Sequence, residues 1–185
     1  MRKQELDDWV ENGGELPDEL TEDEKSYLEN LGWECQEEWG LDGQRFSEEH
    51  YLHGKRHGKH EEWYGNGQKR FEFNYHHGEL HGKRLGWYFN GQKWYERHLL
   101  HGKAHGKYEW WHENGQKNEE RYYHHGKEHG KHEGWHGNGQ KSYERYYHHG
   151  KEHGVWKWWE GDGTLIVHKE YAYGVLLKDH LKEET

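Results

Sequence analysis

The sequence is poor in the residues from which an ordinary protein core is built. Hydrophobic residues make up 29% of its 185 positions and charged residues 34%. Globular domains are about 45–50% apolar, so a two-layered domain with an aliphatic interior is not expected. No run approaches the ~18 apolar residues of a membrane span, and the first residues lack the apolar segment of a secretion signal. We therefore expect a cytoplasmic protein.

Cysteine and proline occur once each, and serine is scarce. The lone Cys35 excludes an internal disulfide and a zinc site built from several cysteines. Cys35 has no repeat-borne partner, and no phosphate-binding loop is present. Acidic residues recur at one spacing, but a residue repeated in five units points to structure, because an active site needs a unique constellation. These residues are Glu48, Glu72, Glu96, Glu120 and Glu144. We expect no catalytic residues, no enzyme activity and no cofactor.

Acidic charge is concentrated at the N-terminus. Residues 1–41 contain 14 acidic and 3 basic side chains, and the rest of the chain contains 22 acidic and 23 basic ones. A body with almost no net charge lacks the main electrostatic term for binding phosphate backbones, so no direct contact with nucleic acid is expected. The overall charge of −10 also disfavours binding to anionic membranes.

The composition reflects a repeat of 24 residues. Asn-Gly or Asp-Gly recurs at this spacing, with its glycine at Gly43, Gly67, Gly91, Gly115, Gly139 and Gly163. A tryptophan recurs in the same register at Trp39, Trp63, Trp87, Trp111, Trp135 and Trp159. We interpret the tryptophans and the glycines from Gly67 to Gly139 as a structural ladder.

Each unit is predicted to form one β-hairpin and a return loop. Asn-Gly between aromatic-rich runs indicates a type I′ turn, and the HHGxxHG segment, as at 76–82, indicates a longer loop. A lone hairpin is marginal in water, so consecutive hairpins should pair edge to edge. The predicted fold is mainly β: a single-layered, twisted antiparallel sheet of stacked hairpins with about eleven or twelve strands and a small α-helical N-terminal cap.

The ends of the array are expected to be covered. Thr21 and Glu24 form a capping box before a helix over 25–31, and an earlier helix over about 3–11 should end at Gly13 and Gly14. The last unit exchanges polar residues for aliphatic ones over 165–177. We divide the chain into an acidic helical cap (1–38), a hairpin repeat array (39–174) and a C-terminal cap or tail (175–185).

Four segments of the repeat resemble a known family. They read WYGNGQK (63–69), WYFNGQK (87–93), WHENGQK (111–117) and WHGNGQK (135–141), each followed by two HG dipeptides. The pattern is similar to the MORN-type repeat, in the variant form of YwqK-family antitoxins and of phage and giant-virus MORN proteins. The resemblance covers about residues 39–174 and implies a non-catalytic binding protein, often a toxin neutraliser. One departure from the family pattern is a histidine before the first loop glycine in five units.

Histidines form two columns beside the loop glycines: His53, His77, His101, His125, His149 and His57, His81, His105, His129, His153. Equivalent residues in adjacent units lie about 10 Å apart, too far for one column to supply two ligands at ~2.0–2.1 Å from one ion. A site within one loop, such as His76, His77 and His81, has no carboxylate or cysteine to complete it in every unit. We therefore assign no metal ligands. A histidine-based metal or pH sensor remains an alternative, in which the sheet loosens below about pH 6.

The repeat varies mainly at alternate positions, and side chains alternate between the faces of a strand. Counted from the Asn, the even positions are nearly constant (Lys, Tyr, Lys, Trp), whereas the odd positions vary. We expect a common face held by Trp–Tyr contacts and an individual face that selects a partner. Exposed aromatic and Arg side chains are favoured interface anchors, so the candidate partner-binding residues are Tyr88, Trp94, Trp110, Trp158 and Arg70.

The sequence thus predicts a protein-binding scaffold: an antitoxin, immunity protein or inhibitor that neutralises a toxin, effector or defence enzyme by direct binding. Two further alternatives stay open, a phage or viral counter-defence protein that binds a host enzyme and a repeat module that binds choline or glycans. The acidic head is either a solvated cap or a negative surface for a basic partner. Open sheet ends allow a monomer or a weak dimer.

Overall fold

Stacked antiparallel hairpins make up most of the chain, as a computed structural model that describes residues 2–12, 16 and 19–182 shows. The chain divides into two compact units. The first runs to Gly91 and includes Leu99–Gly102, and the second comprises Gln92–His98 and the residues from Lys103 onward. Strands are paired in chain order in an open antiparallel sheet, which confirms the predicted fold class.

The helices are α1 (Arg2–Asn12) and α2 (Glu22–Asn30). The strands before the second unit are β1 (Trp33–Trp39), β2 (Arg45–Leu52), β3 (Lys55–Trp63), β4 (Lys69–His76) and β5 (Glu79–Trp87), and β6 (Lys93–Leu100) has residues in both units. The second unit continues with β7 (Lys103–Trp111), β8 (Lys117–His124), β9 (Lys127–Glu128), β10 (Gly130–Trp135), β11 (Lys141–His148), β12 (Lys151–Glu152), β13 (Gly154–Trp159), β14 (Leu165–Ala172) and β15 (Val175–Asp179).

The described residues contain fifteen strands, more than the predicted eleven or twelve. A strand already begins at Trp33, and another follows Ala172, so strands lie beyond residues 39 and 174 at both ends of the predicted array. Two further strands arise because one hairpin arm is divided at His129 and another at His153, each just before a glycine with positive φ.

The turns at the Asn-Gly and His-Gly edges are the reverse of those predicted: the longer loop is at Asn-Gly and the two-residue turn is at His-Gly. Five residues separate Trp63 from Lys69, and there the Gly67 N–H donates to the Tyr64 carbonyl at 2.9 Å while Gly67 alone takes a positive φ of 80°. The two-residue turn with positive φ at both positions, which type I′ requires, is instead His77–Gly78, at 49° and 90°. Loop length selects the turn type, and only the His-Gly loop is short enough.

Histidine is suited to that turn because, with Asn and Asp, it enters the left-handed region more readily than most residues. The same conformation recurs at His53, His101, His125 and His149, with φ between 48° and 51°. From the second of these turns onward the following glycine donates its N–H to the preceding repeat, as Gly78 does to the Arg56 carbonyl at 2.7 Å, whereas at the first turn the His53 N–H donates to the Gly32 carbonyl at 2.8 Å.

The opposite edge is also bonded from repeat to repeat. The Asn66 side chain donates to the Phe89 carbonyl at 3.1 Å, and the Tyr64 hydroxyl donates to the Trp87 carbonyl at 2.8 Å. In the second unit the Asn138 side chain likewise donates to the Gly161 carbonyl at 2.8 Å. Both turn edges therefore contribute to stacking, in addition to the strand pairing.

The helical cap supplies the one aliphatic and aromatic core cluster found among the described residues, formed by Leu6, Trp9, Leu28 and Trp33. The predicted capping box is confirmed, since Thr21 and Glu24 bond reciprocally at the start of α2. The helix predicted over 3–11 is confirmed as α1, and its predicted end at Gly13 and Gly14 lies outside the described residues. No helix in the described part of the chain is long and apolar enough to cross a membrane.

Candidate partner-binding face

A bulge that recurs in the hairpins decides which side chains share a face. Trp63 pairs with Lys69, but the next pair is Glu62 with Phe71, so Arg70 is the extra residue. The same shift recurs at Trp111, Trp135 and Trp159. A bulged residue reverses the alternation beyond it. The repeat tyrosine, such as Tyr75, therefore lies on the face opposite the repeat tryptophan, and the expectation of a common face held by Trp–Tyr contacts is wrong.

One face, which we call the charged face, carries closed rings of two lysines and two glutamates. In one ring Lys117 lies 2.6 Å from both Glu109 and Glu120, and Lys107 lies 2.9 and 3.1 Å from the same carboxylates. Equivalent rings are formed by Lys59, Glu61, Lys69, Glu72 and by Lys131, Glu133, Lys141, Glu144. The recurring glutamates from Glu72 to Glu144 thus pair with lysines, whereas Glu48 pairs with Arg45 and His50. Arg121 and Arg145, next to Glu120 and Glu144 in the chain, point to the other face.

The lysines keep these carboxylates ionised. Burial alone would raise the pKa of Glu120, but hydrogen bonds from Lys117 and Lys107 outweigh it and hold the pKa below its ordinary value. The same balance lowers the pKa of Glu133 and Glu144. Each ring is neutral and satisfies its own charges, so this face offers little to an ionic partner.

The repeat tryptophans belong to the charged face. The ammonium of Lys69 lies 5.6 Å from the Trp87 ring, Lys93 lies 5.2 Å from Trp111, and Lys117 lies 5.7 Å from Trp135. Trp63 to Trp159 are half-buried, whereas Trp39 at the start of the array is 57% exposed. Cation–π contacts of this kind are each worth about 0.5–1 kcal/mol at partly exposed sites.

Removal of one lysine from a ring should leave the two glutamates of that ring repelling each other. Glu133 and Glu144 are direct cross-strand partners, and like charges placed opposite each other destabilise a sheet. We expect Lys141→Met to lower the free energy of unfolding by about 1 kcal/mol, and Glu133→Gln in the same chain to restore most of the loss. Urea unfolding of both variants at pH 7 measures this. Equal effects of Lys141→Met and of Lys151→Met, at an exposed lysine outside the rings, would refute it.

The other face, which we call the aromatic face, interleaves arginines with aromatic rings. The Arg145 guanidinium lies 4.1 Å from the Tyr143 ring and between 5.7 and 5.9 Å from those of Tyr147, Trp156 and Trp158. Arg121 lies 5.7 Å from Trp110. Arginine stacks on aromatic faces while its edge stays free for hydrogen bonds, so this face combines apolar area with donors.

Three predicted partner-binding residues lie in the second unit, each packed against a neighbouring aromatic ring. Trp110 packs edge-on against Tyr108, Trp158 against Trp156, and Trp94 against Tyr95. Trp110 and Trp158 are half-buried, and Trp94 is 39% exposed.

The two other predicted residues lie in the first unit. Arg70 is the exposed bulge residue, with its guanidinium 4.9 Å from the Phe71 ring and 5.8 Å from the Tyr64 ring. Tyr88 is half-buried in the turn after β5. Arg70 and Tyr88 therefore belong to a different compact unit from the three tryptophans.

The surface of the aromatic face is uneven, because Gly134 lacks a side chain. A β-carbon at Gly134 would lie 2.2 Å from the Tyr143 ring, so Tyr143 lies flat over a strand that has no side chain at this point. Its hydroxyl bonds Glu119, and burial and then this bond raise the pKa of Tyr143 to about 12. The repeat position of Gly134 is occupied by Trp110 and Trp158 in the flanking hairpins. A large ring therefore stands on either side of the strand that has no side chain at this position.

A pocket of the first unit brings together residues that the sequence argument left apart. Cys35 and Arg45 occupy ring positions of the first repeat, and His50 is the cross-strand partner of Cys35. Ligand atoms of Cys35, Glu48 and His50 lie within 4.8 Å of one another in a cavity of about 330 Å³. Burial, and then Glu48 and Glu37, raise the pKa of Cys35 to about 11. The thiol is protonated at neutral pH, which disfavours both nucleophilic attack and metal binding.

Comparison with known proteins bears on the repeat itself. The family model described as MORN repeat variant matches the chain twice, over residues 56–77 and 104–125. Each match runs from the start of one hairpin arm through the Asn-Gly turn to the His-Gly turn. No curated protein sequence matches the chain.

Proposed function

The chain is a MORN-type repeat protein, and from this premise we propose that it is a non-catalytic scaffold that binds a protein partner through the aromatic face of its second unit. Repeats of this type are modules that often mediate binding. In this proposal the partner is a toxin, an effector or a defence enzyme, and the scaffold neutralises it by covering it.

The proposal rests on the amino-acid variation between repeats at the aromatic-face position of Trp110 and Trp158. Lysine, glutamate and tryptophan recur on the charged face, whereas the positions of Trp110 and Trp158 are Glu62, Gly86 and Gly134 in other repeats. At these positions the aromatic face differs from hairpin to hairpin, which is what individual contacts with a partner require. That face is rich in Trp, Tyr and Arg, the residues that dominate binding energy at protein interfaces.

The same geometry supports binding without chemistry. Side chains on the charged face form closed ion-pair rings in three repeats, and burial with the nearby Glu48 and Glu37 holds the Cys35 thiol protonated. An active site needs a unique nucleophile or base with a tuned pKa, and Cys35 has the opposite tuning.

Affinity capture from the native cell tests this function. The tagged chain, passed through a lysate at physiological salt, should retain one protein in stoichiometric amount, and the retained protein should have unchanged intact mass and lose its activity in the purified complex. A retained protein that is covalently altered or turned over would contradict a non-catalytic scaffold. Retention of glycans or choline in place of a protein would favour the ligand-binding alternative.

A further inference from the structure

The His-Gly edge of the second unit gathers imidazoles from two consecutive repeats. Ring centroids of His129 and His148 lie 5.3 Å apart, those of His129 and His149 5.1 Å apart, and those of His148 and His149 4.5 Å apart. One ring nitrogen from each of the three lies within 4.8 Å of the others. Nitrogens about 3.3 Å apart can share an ion at ~2.0–2.1 Å, so a modest rotation of these side chains closes the set.

The turn chemistry brings the three together. His149 is the first residue of a type I′ turn, with φ at 50°, and the Gly150 N–H donates to the Glu128 carbonyl of the preceding repeat at 2.7 Å. Because His129 directly follows Glu128 in the chain, this bond places the turn next to His129. The sequence argument looked for a trio within one loop, whereas the observed trio takes one residue from one repeat and two from the next.

The equivalent trio in the first unit is already engaged by the cap. The His57 Nε2 contacts the Trp9 carbonyl at 2.7 Å, and the His76 Nε2 contacts the Glu11 carbonyl at 3.1 Å. At His129, by contrast, the backbone N–H of His149 approaches Nδ1 only at 3.5 Å, the outer limit of a hydrogen bond. Turning this nitrogen toward a cation therefore costs little.

We propose that His129, His148 and His149 form a binding site for one divalent transition-metal ion of the zinc type, which links two adjacent hairpins. Three neutral imidazoles are a ligand set that zinc, copper and nickel accept, and further coordination positions stay open for water or a partner's ligand. This inference does not depend on the proposed function, because it concerns a turn edge and not the aromatic face.

The surroundings of His149 favour the form that binds metal. Partial desolvation, followed by the neighbouring His148, His129 and His124 and by Lys127, lowers the pKa of His149. A metal ion binds the neutral imidazole, so binding should weaken as the pH falls and protons compete for the same nitrogens.

Isothermal titration of the full chain with Zn²⁺ alone, at pH 7.5 in a non-chelating buffer, tests the site. His148→Leu is the informative variant, because the same repeat position is leucine in Leu52 and Leu100, so the hairpin tolerates it. We expect this variant to bind one equivalent of Zn²⁺ fewer than the wild type. His101→Asn, at the turn position of a repeat without a trio, should bind as the wild type does.

Thermal unfolding gives a second readout. Zn²⁺ should raise the melting temperature of the wild type and of His101→Asn, and a chelator should reverse the rise, because a ligand that binds only the folded state stabilises it. His148→Leu should show a smaller rise. Equal zinc stoichiometry for wild type and His148→Leu, or no zinc binding by the wild type at pH 7.5, would overturn the proposal.

Discussion

Replacement of His132 by tyrosine should remove a large part of the acid sensitivity of this protein. His132 is fully buried, with its Nε2 3.1 Å from the Tyr122 carbonyl and its ring 4.7 Å from the Tyr147 ring. Burial, together with Arg121 and Arg145, lowers its pKa to about 4, against the contact with the Tyr122 carbonyl, which acts to raise it. The imidazole is neutral in the folded state at any pH above that value.

The sign of the effect follows from the two pKa values. In the unfolded chain the histidine takes up a proton below its ordinary pKa of about 6.5, and in the folded chain only near pH 4. The contribution of His132 to the free energy of unfolding is therefore complete above pH 6.5 and is lost as the pH falls from 6.5 to 4. At 1.36 kcal/mol per pKa unit the loss reaches at most about 3 kcal/mol. The pKa of His57 and His81 is also lowered, mainly by burial, so other histidines add to the slope.

Urea unfolding at pH 7.5, 6.5, 5.5 and 4.5 measures this difference. Tyrosine already occupies the position as Tyr108 in the preceding hairpin, so His132→Tyr should fold normally. The wild type should lose about 2–3 kcal/mol more than the variant between pH 7.5 and 4.5. His101→Asn, at an exposed turn, should follow the wild type. Parallel pH profiles for the wild type and His132→Tyr would show that His132 does not carry the effect.

Substitution of Gly58 by alanine should release the helical cap. Gly58 lies in β3 with φ at 77°, and a β-carbon there would lie 2.5 Å from the Trp9 indole nitrogen. Trp9 also contacts His57 edge-on at 4.9 Å and is 2% exposed, so it anchors α1 on the sheet. The added carbon cannot be accommodated without moving this ring.

Gly106 offers a matched control from the same repeat position. Its φ is 75°, but a β-carbon there meets nothing within 4 Å. Gly106→Ala should cost about 1–2 kcal/mol, the strain of an L-residue in the left-handed region. Gly58→Ala should cost at least about 2 kcal/mol more, because Trp9 loses its burial. Chemical unfolding of both variants, with amide exchange of α1, compares them. Equal costs, with α1 protected in both, would contradict docking of the cap through Trp9.

The sequence predicted the repeat period, the hairpins and the cap because each depends on local signals that recur in phase. The capping box at Thr21 and Glu24 is such a signal. The turn types were wrong because Asn-Gly was weighed as a dipeptide, whereas five residues separate the strands at this edge and only two at the His-Gly edge. The count of residues between strands, and not the strongest dipeptide, decides the turn.

The candidate site was only partly predictable, because the sequence does not show where a bulge changes the alternation of side chains along a strand. Strict alternation placed the repeat tyrosine beside the tryptophan, and one bulged residue, such as Arg70, reversed that parity. Trp110 and Trp158 still fell on the varying face, because both lie before the bulge in their hairpins. Neither the histidine trio nor the neighbours of Cys35 follow from spacing, since each set joins residues that only cross-strand register brings together.

The most direct test of the scaffold is calorimetric titration of the purified partner, identified by affinity capture, with two opposing variants. Trp110→Glu/Trp158→Glu changes the aromatic face to a residue that the repeat itself carries at Glu62, and Lys107→Met/Lys131→Met changes the charged face. We predict that the first weakens binding by about 30-fold or more, as loss of aromatic anchors does, and that the second leaves it within about threefold. Unchanged affinity in the aromatic-face variant, with a loss in the charged-face variant, would contradict the account.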